Sequence, residues 1–166
     1  MNTPHPASTL DDQPVSVKIK LAAAWTSFMF LAAYVDILNF YTPGTVEDIL
    51  HGKVFEFDLS QTFSTSSLAL MSVPALMVAL STTLPARADR ITNLVVASLY
   101  VPVTAFNLAG ESWLYFYGLG VVLELILLAL IVRWAWTWPR VTPSTTPSTP
   151  RSTRPDRDAV RVQQRA

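Results

Sequence analysis

The stretch Trp113–Val132, WLYFYGLGVVLELILLALIV, decides the fold. Its twenty residues contain one ionisable group, Glu124, near the middle. The hydrocarbon core of a bilayer is about 30 Å thick and a helix rises about 1.5 Å per residue, so about twenty apolar residues cross it. The stretch therefore reads as a membrane span. An ionised, unpaired carboxylate at its midpoint would cost about 2.5–3.5 kcal/mol, so Glu124 should face protein or carry a proton. Steps of three and four residues from Glu124 give a face of Trp113, Tyr117, Gly120, Leu127 and Ile131. Its glycine and tyrosine point to close approach of another helix and a hydroxyl partner.

Composition agrees. Of 166 residues, 51% are hydrophobic and 14% charged, too apolar for an ordinary soluble domain of this size. There is no cysteine, which excludes disulfides, thiol redox catalysis, thiolate-bound zinc and iron–sulfur clusters. The two histidines, His5 and His51, lie in a tail and a loop, so haem cannot be held between membrane histidines. The sequence supplies no cofactor site. It also has no nucleophile–base pair, no metal cluster and no phosphate loop, which places an enzymatic role last.

Three more apolar blocks precede the deciding one. The first covers about residues 17–41 and is entered by Lys18 and Lys20. It exceeds the 7–15 residues of a signal-peptide core and lacks a cleavage site, so a span is preferred to a signal peptide. The second, about 64–84, carries no charge and puts Thr65, Ala69, Ser72, Ala75, Ala79 and Thr82 on one small-residue face suited to helix contact. Pro74 should kink it by freeing a carbonyl one turn earlier. The third, about 91–109, places Asn93, Ala97, Tyr100, Thr104 and Asn107 on one polar face. The short link PARADR, Pro85–Arg90, predicts that the second and third spans are antiparallel neighbours.

The reading is all-α: a four-transmembrane-helix bundle with antiparallel up-down topology over residues 17–138, its last span at 113–136. In the loop 42–63, Pro43 and Gly44 signal a turn, Thr45 is an expected N-cap, and Gly52 can end a short interfacial helix. Residues 1–16 and the Pro/Ser/Thr/Arg-rich stretch 139–166 read as disordered tails. Eleven of the twelve basic residues fall on one side of such a bundle, leaving only Lys53 opposite. The positive-inside rule then puts both termini in the cytoplasm of a cell-membrane protein.

The chain resembles an uncharacterised family of small bacterial integral membrane proteins with four predicted helices. The matching stretches are VKIKLAAAWTSFMFLAAYVDILNFYTPG, VEDILHGKV with the following SQ, PALMVALS, ESWLYFY and WAWTWP, between about Val17 and Pro139. The resemblance implies no activity. In size and layout the chain is also similar to the DoxX-like four-helix membrane proteins, a likeness of architecture alone.

Two polar constellations stand out. The outer one combines Asp36 and Asn39 with Asn107 and Glu111, as a ligand or proton site opening outward or as a hydrogen-bonded seam. The inner one pairs Glu124 with Tyr100 at similar depth, with Thr104 and Ser72 as neighbours, for a structural bond or proton transfer. A metal site at Glu47, Asp48 and His51 is disfavoured against a solvated interfacial helix.

The first functional reading is a non-enzymatic membrane protein that binds partner proteins or lipids, including a homo-oligomer. The second is a small proton-linked carrier using Asp36 and Glu124, and the third a redox or quinone-associated subunit. The bilayer is the expected partner, with the carboxy-terminal arginines attracted to anionic headgroups. Nucleic acid is disfavoured because no folded reading surface is present.

Overall fold

The computed structural model describes residues 14–109 and 113–139. It is all-α apart from one small hairpin: α1 Val17–Asn39, α2 Thr45–Leu50, β1 Lys53–Val54, β2 Phe57–Asp58, α3 Gln61–Thr83, α4 Ala86–Phe106 and α5 Leu114–Trp136. Three of the five helices, α1, α3 and α5, are long and apolar enough to cross a membrane.

The helix starts follow local chemistry. The Ser16 hydroxyl accepts from the Ile19 amide at 3.4 Å and the Ser60 hydroxyl from the Phe63 amide at 3.1 Å, satisfying amides with no partner inside their helices. The start of α2 departs from expectation. Its N-cap is Gly44, at a φ of 89° that glycine adopts without strain, and Thr45 is the first helical residue. The Thr45 hydroxyl instead meets that of Thr42 at 2.5 Å. Gly52, at φ 78°, follows the end of α2 as its composition indicated. The antiparallel hairpin of β1 and β2 had no alternating pattern to announce it, and turns on Phe55 at φ 56°.

Packing centres on α1, which lies along both α3 and α5, while α5 also lies along α4. Helices α3 and α4 meet as neighbours, but only sparingly despite their short connection, through Tyr100 on the Leu70 carbonyl and Ser81 on Asn93. Bulky side chains account for the separation. Trp25 and Phe28 from α1 and Tyr100 from α4 meet edge to face, with ring centroids 5.9–6.1 Å apart. The small-residue face of α3 looks outward, and its buried residues are Pro74, Met77 and Ser81.

One backbone group explains why Tyr100 is in this wedge. Pro74 has no N–H to give to the carbonyl of Leu70, four residues back, and the Tyr100 hydroxyl donates to that carbonyl from α4. The orphaned acceptor and the polar residue satisfy each other. Tyr100→Phe should therefore cost about 0.6–1.7 kcal/mol by denaturant titration in micelles, and close to nothing in a Pro74→Ala background, where the helix supplies its own donor.

Candidate functional site

Helices α5 and α1 approach each other closely at Gly120. A Cβ on Gly120 would stand 2.9 Å from Cγ2 of Val35, so only glycine permits this spacing. Glu124 is 3% exposed, is hydrogen-bonded by Thr104 of α4, and feels the charge of Asp36. Glu124 is ten residues into α5, about 15 Å from its start. Asp36 keeps an exposed edge on α1.

The other predicted residues go elsewhere. Asn39 closes the upper end of the α1–α5 contact by accepting from the Tyr117 hydroxyl, and also receives Thr42 at 3.0 Å. Tyr117, on the Glu124 face, thus has its hydroxyl on Asn39. Asn107 caps the end of α4 and is exposed. Glu111 lies outside the described residues. Tyr100 serves the Leu70 carbonyl, and Ser72 bonds back to Ala69 O of its own helix at 2.7 Å. In α2, Glu47 and Asp48 sit in the first turn and His51 caps the end, and among the described residues no three metal-binding side chains gather.

A second polar cluster, at the opposite end, was not anticipated. The Trp25 indole N–H donates to Oδ1 of Asn93 at 2.7 Å. An indole can only donate, so this bond fixes the amide orientation and turns Nδ2 of Asn93 toward Asp89, 2.6 Å from its Oδ1. Ser81 of α3 completes the group at 3.3–3.4 Å from the Asn93 amide. Asp89, Asn93 and Ser81 are fully buried, and among the described residues Oδ2 of Asp89 has no hydrogen-bond partner. A buried polar atom left so costs about 1–3 kcal/mol, and more if charged. At the same end of the molecule, Lys18 of α1 donates to Leu84 O at 2.6 Å and Thr82 O at 3.4 Å, capping the end of α3. The available signal was position: Asp89 precedes Asn93 by four residues and extends its polar face, but it sits in a segment that reads as a basic link.

On the outside, between α1 and α3, an apolar groove of about 390 Å³ is lined by Thr26, Met29, Phe30, Ala33, Ala75 and Val78. None of the seam residues lines it.

Two measurements follow. Gly120→Ala should destabilise the protein by about 1–3 kcal/mol through the clash with Val35, and Val35→Ala should restore most of the loss. Asn93→Ala should cost about 2 kcal/mol or more, because Trp25 and Asp89 both lose a partner, while Ser81→Ala should cost under about 1 kcal/mol because its bonds are long. Thermal unfolding in one detergent ranks all four.

A family model described as a family of unknown function, DUF6326, matches residues 16–145, which takes in every described helix. No curated protein and no solved structure matches the chain. With most of its length under that match, the chain belongs to the DUF6326 family.

Proposed function

We propose that this is a non-enzymatic, multi-pass protein of the cell membrane that binds partner proteins or lipids. In this reading α1, α3, α4 and α5 cross the bilayer in alternating directions, with both termini in the cytoplasm. The supporting observation is the arrangement of α4, which falls outside the three helices apolar enough to cross on composition alone. Its polar residues Asp89, Asn93 and Thr104 are buried, whereas Ile91, Val95, Leu99 and Phe106 are exposed. A helix in water would be turned the other way. Turned as it is, α4 suits a hydrocarbon solvent outside and polar neighbours within.

Partner binding draws support from α3, whose outward stripe of Thr65, Ala69, Ala75 and Ala79 allows a second helix to approach closely. The arginines beyond Pro139 add attraction to an anionic leaflet. A proton-linked carrier using Asp36 and Glu124 is the second reading, favoured by the burial of the Glu124 carboxyl inside an apolar helix.

Topology reporters test the first reading. One inserted in the loop 42–63 should be active only when outside the cell, and one fused after Ala166 only when inside; an external signal after Ala166 contradicts it. In liposomes under an imposed pH gradient, the protein should leak protons no faster than empty vesicles. Flux that Glu124→Gln abolishes would establish the carrier instead.

A further inference from the structure

We propose that Asp89 is a proton-binding site and forms, with Lys18, a proton-operated latch between α1, α3 and α4. This inference does not depend on the reading just given, because it rests on one cluster. The Asp89 carboxyl is fully buried, bonded through Oδ1 to Asn93, with Oδ2 unpartnered among the described residues. Lys18, the cation that acts on it electrostatically, spends its ammonium on the last carbonyls of α3.

Those two facts define two states. With Asp89 neutral, no buried charge needs a counter-ion and Lys18 is free to hold Thr82 O and Leu84 O, which is the arrangement seen. With Asp89 ionised, a buried anion with a bare oxygen attracts the Lys18 ammonium at the same end of the helices, and the attraction between opposite charges exceeds that between an ammonium and a carbonyl. Lys18 then moves to Oδ2 and the end of α3 is released. Proton loss at one carboxyl is thereby converted into a change of partner for a whole helix end.

The surrounding groups favour this exchange. Helix α3 contributes no charge at all, only the Ser81 hydroxyl and its terminal carbonyls. On α4, the neighbouring Arg90 lies with its guanidinium 5.9 Å over the ring of Trp136, and its buried Nε has no hydrogen-bond partner among the described residues. On α5, Arg133 is exposed. On α1, besides Lys18, the Trp25 indole reaches Asp89 through the Asn93 amide, and so reports on its protonation.

The test uses the full chain in nanodiscs. Because the natural sequence has no cysteine, a spin label at Thr83→Cys reads the mobility of the end of α3. The indole N–H signal of Trp25, identified by its loss in Trp25→Phe, reads the cluster itself. Between about pH 4 and pH 9 both should change together along one titration curve. In Asp89→Asn both should stay at their low-pH values, and in Lys18→Met the label should be mobile at every pH while the indole still titrates. A label and indole indifferent to pH, or a titration that persists in Asp89→Asn, would overturn the proposal.

Discussion

In hydrocarbon no water competes for a polar group, so each one placed there has to find its partner on its own or another helix. On the proposed membrane reading, that constraint organises the molecule. Pro74 breaks the ladder of α3, and the carbonyl it frees at Leu70 takes the hydroxyl of Tyr100 from α4. Tyr117 reaches from α5 to Asn39 on α1, Thr104 from α4 to Glu124 on α5, and Trp25 from α1 to Asn93 on α4. Each of these bonds joins two different helices, and together they set which faces turn inward. On that reading, apolar burial between helices does less than in a soluble protein, because lipid tails are as apolar as leucine.

Glycine and aromatic side chains set the distances that the polar bonds require. Gly120 lets Val35 come against the backbone of α5, which brings α1 and α5 together. On the other side, Trp25, Phe28 and Tyr100 hold α3 and α4 apart. The tight contact and the wedge share α1, so this helix touches both halves of the structure. Its polar residues bear on both ends: Asp36 and Asn39 toward α5, Lys18 and Trp25 toward α3 and α4.

Much of this was legible in the chain. Periodicity around Glu124 picked out Tyr117, Gly120 and Ile131, all of which are buried, and spacing on α4 picked out Asn93, Ala97, Tyr100 and Thr104. Such patterns survive because a helix face is a local property. Partner choice is not local: that Tyr100 would serve Leu70 rather than Glu124 depends on how far apart α3 and α4 stand, which three rings on two helices determine. The outward turn of the α3 stripe is likewise a matter of which neighbour α1 prefers. Asp89 was overlooked for a different reason. It is flanked by Arg87 and Arg90, and a charge in a basic link reads as solvated until a helix is seen to begin before it.

The account stands or falls with the environment of α4. Spin labels placed singly at Ile91, Val95 and Leu99 in nanodiscs should collide freely with dissolved oxygen, which concentrates in lipid, and scarcely at all with a water-soluble nickel chelate. Labels at those three sites that meet the nickel chelate as readily as oxygen would place the exposed face of α4 in water and contradict the account.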